Sequence, residues 1–286
     1  MARLHTLFLL LFFGSAGYLA AQSVAEGPVV GPARGSLVVV GGGALPDTIV
    51  KRFIELAGGP DAPIVVIPTA GGEPAYDQNV GKFLTDRGAR NVYTLHTYDK
   101  AVANTDTFYQ HLVNAKGVWF GGGRQWRLVD AYGGTLCEAL FRNVLERGGV
   151  IGGSSAGATI QGSYLVRGDS KNNQVMMGDH QTGFGYLRNV AVDQHVLVRN
   201  RQFDLFEVME VHPELLGIGI DESTAIVVQG DQFDVIGRSF VLMYDGKFWS
   251  REGSDLKKIP DPGKRFYFLR AGDRYDLKER KVLTRD

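Results

Sequence analysis

The stretch Gly148-Gly149-Val150-Ile151-Gly152-Gly153-Ser154-Ser155-Ala156-Gly157-Ala158 reads as an apolar strand that stops, bends sharply and restarts as a helix. Only glycine tolerates the positive φ and the close backbone approach that such a bend demands. Gly153-Ser154-Ser155-Ala156-Gly157 fits the elbow pattern G-x-S-x-G with Ser155 at its centre, and that pattern lifts a serine hydroxyl onto a strained turn as a nucleophile. The same composition also suits a plain βα connection, or a loop that cradles a phosphate on a helix N-terminus. The rest of the chain has to decide between them.

Upstream, strands and helices alternate. Ser36-Leu37-Val38-Val39-Val40 is a continuous apolar run of the kind buried on both faces, broken by Gly41-Gly42-Gly43 before a helical run from Asp47 to Leu56. Those glycines suggest the dinucleotide fingerprint G-x-G-x-x-G, but Pro46 occupies its last position and no acid-ended strand follows at the right distance, so a nucleotide cofactor is not expected. Further strands read at Ala62–Thr69, Asn91–Leu95 and Gly117–Phe120, with helices at about 77–87, 105–114, 125–132 and 136–147. Unbroken apolar strands in this alternation argue for a parallel sheet flanked by helices on both faces, with functional residues at the carboxyl ends of the strands. The glycine-rich ends at Phe120–Gly123 and Ile151–Ser155 then lie side by side. Their backbone N–H groups, from Ala156 and from Gly122 or Gly123, would form an oxyanion hole.

Downstream of the elbow the chain is loop-rich, and its last part reads as antiparallel hairpins: Ala225–Val228 with Phe233–Ile236 around Gly230-Asp231, and Phe240–Tyr244 with Lys247–Trp249 around Asp245-Gly246. A chain of 286 residues, 44% hydrophobic, can bury one large core, and no linker or charge block divides it. Residues 23–286 are therefore read as a single domain with its core at about 37–236. Met1–Gln22, with Arg3 before an apolar run and a small-residue finish, has the form of a secretory signal peptide, so the protein is expected to be exported. Lysine plus arginine equals aspartate plus glutamate, 31 each, which leaves no basic excess to hold a nucleic acid. Cys137, alone, makes no intrachain disulfide and sits in a helical pattern as a buried thiol. Nothing fixes the oligomeric state, and a homodimer is compatible with the chain.

A serine needs a base, and histidine is the usual one near neutral pH. His195 follows the strand-like Val190-Ala191-Val192-Asp193-Gln194, which places it on the same sheet edge as Ser155, ahead of His180 and His212. The histidines show no i, i+4 pair and no cysteine partner, so no metal is expected. For the carboxylate that fixes the imidazole, the candidates are Asp169, Asp179, Asp193, Asp221 and Glu222. Asp169, in the loop following the elbow helix, is the choice, with Asp179 next.

The elbow, Asp193-Gln194-His195 with Arg199 and Arg201, and His212-Pro213-Glu214-Leu215-Leu216-Gly217-Ile218-Gly219-Ile220-Asp221-Glu222 together resemble the cyanophycinase and aspartyl dipeptidase (peptidase E) family of serine peptidases. Phe120-Gly121-Gly122-Gly123-Arg124-Gln125-Trp126-Arg127 resembles its strand-end loop. The resemblance runs from about Leu37 to Ile236. It implies a flavodoxin-like fold related to class I glutamine amidotransferases, acylation of Ser155, His195 as base, and Gln125, Gln194, Arg199 and Arg201 lining the substrate pocket. It also implies peptide substrates with an acidic group, no cofactor, and an exopeptidase cutting next to aspartate, as cyanophycinases do in cyanophycin and dipeptidases do after an N-terminal aspartate. An esterase or amidase with the same site and a non-catalytic binding protein are the alternatives. Three positions depart from the pattern: Asn172-Asn173 where cyanophycinases have a glutamate, Val196 where an aromatic is common, and Arg124 where Asp is usual.

Overall fold

The computed structural model describes residues 29–250 and 261–283, so Met1–Gln22 and the signal-peptide reading lie outside the described residues. In chain order the first half comprises β1 (Ser36–Val40), α1 (Asp47–Ala57), β2 (Pro63–Ile67), α2 (Lys82–Thr85), β3 (Asn91–Thr94), α3 (Lys100–Ala103), α4 (Asp106–Val113), β4 (Gly117–Phe120), α5 (Trp126–Tyr132), α6 (Leu136–Glu146), β5 (Val150–Ser154) and α7 (Ala156–Thr159). The second half adds β6 (Gly162–Tyr164), β7 (Leu187–Gln194), α8 (Leu205–Val211), β8 (Leu216–Ile220), β9 (Thr224–Gln229), β10 (Gln232–Gly237), β11 (Phe240–Tyr244), β12 (Tyr267–Arg270), β13 (Arg274–Asp276) and β14 (Lys281–Leu283).

The α/β architecture is the expected one. A nine-stranded sheet has the order β14-β13-β10-β9-β1-β5-β4-β2-β3, in which β1, β5, β4, β2 and β3 run parallel and the remainder antiparallel. Period-two alternation sends Val38, Val40, Ile64, Val66 and Trp119 to one face, with α1 and α2, and Leu37, Val39, Val65, Ile67 and Phe120 to the other. Both faces are buried, which is why these strands have no polar side.

A second, five-stranded sheet, β12-β11-β8-β7-β6, was not foreseen from the sequence. Its apolar residues Val190, Ile218, Met243 and Leu269 join Leu37, Val39 and Val228 of the first sheet in one cluster. The hairpin expected at 240–249 is corrected by it: β11 pairs with β8 and with β12 from Tyr267 on, and Lys247–Trp249 forms no strand. The 225–236 hairpin is present as β9–β10. The helix expected over 77–87 is a 3-10 turn, Gln78–Gly81, leading into the short α2. Cys137 is buried in α6, where its Sγ lies 3.0 Å from the carbonyl of Ala103 and burial pushes the thiol up to about 12.

Candidate active site

Ser155 stands between β5 and α7 at φ 58° and ψ −112°, a strained conformation for a residue with a side chain. The glycines around it allow strand and helix to touch. A Cβ on Gly153 would lie 2.2 Å from the carbonyl oxygen of Gly157, and one on Gly157 would lie 2.1 Å from that of Phe120. The Ser155 N–H donates to Val40 O at 3.0 Å, which ties the bend to the end of β1.

His195 closes β7 at φ 55°, and its N–H donates to Gly41 O at 2.9 Å. Its Nε2 lies 2.9 Å from Ser155 Oγ, and its Nδ1 lies 2.6 Å from Glu222 Oε1. Glu222 sits on the connection from β8 to β9. The Ser223 N–H beside it donates to Gly42 O at 2.9 Å. Gly41-Gly42-Gly43 thus forms the floor under both side chains: a Cβ on Gly42 would lie 2.2 Å from His195 Cε1, and one on Gly43 would lie 2.3 Å from Glu222 Oε2. Burial lowers the His195 pKa below its ordinary value, and the Arg199 and Arg201 charges add to this, while the hydrogen bond to Glu222 opposes it. The imidazole is therefore neutral at pH 7, able to accept a proton from the serine.

Asp169, the carboxylate favoured from sequence, does not reach His195. Its side chain accepts the N–H groups of Lys171 and Asn172 in an exposed turn, and its carbonyl takes Arg124 Nη2 at 2.6 Å. Asp179 accepts from Ser170 and from His180, and the latter ring is held on its other side by Asp130. Asp193 is fully buried in a two-point pair with Arg167, at 2.8 and 3.0 Å. Asp221 pins the chain after His195 by accepting from Leu197 N and Val198 N. Glu222 alone of the five candidates is joined to His195. Its position was legible in one respect: Asp221-Glu222 ends a buried apolar strand, the same rule that selected His195.

Gly122 lies against the nucleophile, 3.4 Å separating Ser155 Cβ from where a Gly122 Cβ would be. Ala156 is the first residue of α7, so its N–H has no intrahelical acceptor. Gly123 takes φ 136° and turns the loop back onto Ala70. Gln125 corrects another expectation. It is 1% exposed and its amide donates to the carbonyls of Val166 and Arg167, so it braces the following loop and does not line an open pocket. Gln194 is buried beside Arg201, with its Oε1 3.3 Å from Arg201 Nη1. Arg199 is exposed, and neither it nor Arg201 or Arg124 has a carboxylate within 4 Å among the described residues. Asp193 is paired with Arg167, while Glu222 and Asp221 are held by His195 and by the N–H groups of Leu197 and Val198, so Arg199, Arg201 and Arg124 are cations without an ion-pair partner among the described residues. No group of three or more metal-ligating side chains occurs among the described residues.

An α/β fold presenting a serine on a strained elbow against a histidine and a carboxylate defines a serine-type hydrolase. The sequence profile of peptidase family S51 matches residues 37–236, and the chain belongs to that family. It is 34% identical over 265 residues to a cyanophycinase of Geminocystis herdmanii (strain PCC 6308), covering 88% of this chain and 97% of that one. A cyanophycinase of Synechococcus elongatus is 34% identical over 244 residues, covering 82% and 76%. The crystal structure of a peptidase from an acI-B1 Actinobacterium superposes with a TM-score of 0.63 at 25% identity, over 85% of this chain and 97% of that one. That of a putative peptidase E protein from Listeria monocytogenes EGD-e, at 17% identity and a TM-score of 0.51 over 72% and 99%, shares the fold.

Proposed function

We propose that this serine peptidase hydrolyses peptide bonds next to aspartate through an acyl-enzyme on Ser155, with His195 as base and Glu222 as the orienting acid. The continuous chain Glu222–His195–Ser155, at 2.6 and 2.9 Å, carries the reading. Ser155 Oγ attacks the scissile carbonyl carbon while its proton passes to His195 Nε2. The carbonyl electron pair moves onto oxygen, where the N–H groups of Ala156 and Gly122 receive it. When the C–N bond breaks, the imidazolium returns that proton to the leaving amine. A water molecule then gives a proton to His195 and its hydroxide to the acyl carbon; the acyl C–Oγ bond breaks and His195 passes the proton to Oγ, releasing the acid and restoring the serine. Glu222 stays ionised throughout, fixing the tautomer and stabilising the imidazolium.

Arg199, Arg201 and Arg124 supply the acidic selectivity, since a substrate carboxylate would meet unpaired guanidiniums there. The relatives named cyanophycinase favour a cyanophycin-like polymer or its fragments, and the cation at Arg124 adds to the preference for acidic peptides. Export, from the form of Met1–Gln22, belongs to the same proposal. A fluorophosphonate adduct of one per chain, abolished in Ser155→Ala, supports the nucleophile, and its absence from folded protein refutes it. Comparison of rates on β-aspartyl-arginine, α-aspartyl dipeptides and simple esters then ranks the substrates.

A further inference from the structure

The carboxyl edge of the parallel sheet continues past the serine. Beyond β4 and its glycine loop, the loop after β2 and the segment after β3 enclose an open groove of about 400 Å³ lined by Gly72, Tyr98, Trp126, Arg127 and Asp130. It shares its floor with the oxyanion loop. The Arg124 N–H and Arg127 Nη1 both donate to Ala70 O, at 2.8 and 3.0 Å, and a Cβ on Gly123 would lie 2.0 Å from that same oxygen. The far wall is tied down as well, because Tyr98 Oη donates to Thr69 O at 3.3 Å and lies 3.2 Å from Glu73 O. Gly72 takes φ 100°, in the left-handed region that favours glycine, and Arg127 Nη1 lies 2.1 Å from where a Cβ would be.

The groove's chemistry is that of a peptide subsite. Arg127 lies over the Trp126 ring at 5.3 Å and has no carboxylate within 4 Å among the described residues, whereas Asp130 is paired with His180 at 2.9 Å. Arg127 is therefore a cation without a carboxylate partner in a groove that Tyr98 and Trp126 also line, with Asp130 at its edge bonded to a His180 ring that it shares with Asp179. The distance from Ser155 sets what can reach it. Neighbouring strands are about 4.8 Å apart, so the ends of β2 and β3, two and three strands from β5, lie roughly 10–14 Å away along the edge. An extended peptide covers that in about three to four residues.

We infer that the groove of Tyr98, Trp126 and Arg127 binds the substrate chain about three to four residues from the scissile bond, taking a side-chain carboxylate on Arg127. It makes the peptidase selective for oligomers over dipeptides. The inference rests on Ser155 as the site of cleavage, and a binding measurement keeps the two separable. Affinities of Ser155→Ala for aspartate-rich peptides of two to six residues, by calorimetry, should rise steeply once the peptide is long enough to reach the groove. In Arg127→Gln and in Tyr98→Ala, each on the Ser155→Ala background and checked for an unchanged Tm, that gain with length should shrink by about tenfold, the equivalent of about 1.4 kcal/mol for one lost charged contact. Affinity independent of length, or a length gain that survives both substitutions, overturns the inference. A failure of the fluorophosphonate label with the length gain intact would instead overturn the assignment of Ser155.

Discussion

Gly42→Ala tests the floor beneath the histidine. The added methyl would sit 2.2 Å from His195 Cε1 and 2.7 Å from both ring nitrogens, where carbon atoms are at rest at about 3.5–4.0 Å. The ring must therefore retreat by more than about 1 Å, since the backbone of Gly42 is held by the hydrogen bond from Ser223 N to its carbonyl. Retreat on that scale breaks a 2.9 Å contact to Ser155 Oγ or a 2.6 Å contact to Glu222, because hydrogen bonds fail beyond about 3.5 Å. A misplacement of about 1 Å costs about 10²-fold, and loss of the base altogether several orders more, so kcat should fall between about 10² and 10⁴-fold. The residue's φ of 122° adds a backbone penalty of about 1–3 kcal/mol. Gly59→Ala separates the two effects: φ there is 98°, but nothing lies within 4 Å of the new Cβ, so it should lower Tm and leave kcat alone. Steady-state rates on an aspartyl peptide with thermal melts of both variants decide the matter. A Gly42→Ala enzyme within threefold of the parent would show that the histidine is not held where the hydrogen bonds place it.

The remaining expectations concern the acid, the base and the buried pair beside them. Glu222→Gln should cut kcat by about 10³–10⁴-fold with little change in fold, while Asp169→Asn stays within a few-fold. Rate against pH should show an acid limb with its midpoint below 6.5, since activity requires neutral His195 and is lost as pH falls through its lowered pKa. Arg199→Ala removes a like charge from the imidazolium, so that limb should move to higher pH, and an unmoved or lowered limb refutes the electrostatic account. Arg167→Met leaves the fully buried Asp193 carboxylate without its partner and should cost about 3–5 kcal/mol in denaturant titration.

The serine and the histidine were readable because each obeys a local rule. Ser155 is framed by glycines whose absent side chains the bend requires, and His195 ends an apolar strand. The acid was not, because what joins Glu222 to His195 is the passage of the chain from the second sheet back to the first, and the second sheet itself went unseen. β6 and β7 are joined by a long loop with no helix, and only the seven-residue α8 stands between β7 and β8, so the regular alternation that announced the first sheet is weak there. Loop position alone favoured Asp169, whose carboxylate is satisfied by its own backbone. The glycines after β1 share part of a nucleotide-binding spacing; their task, clearance for two side chains more than a hundred residues later in the chain, leaves no trace in local spacing. For Gln125 the family resemblance implies a pocket position, but its amide is committed to the carbonyls of Val166 and Arg167.

The route of the chain also has a consequence in time. Along the chain the elbow comes first, His195 follows on a strand of the other sheet, and Glu222 comes last, just before β9, which lies antiparallel against β1. A chain interrupted anywhere before that strand carries the serine without its complete relay. The relay is thus complete only in a chain that extends through Glu222, and a shorter nascent chain holds the nucleophile without its acid.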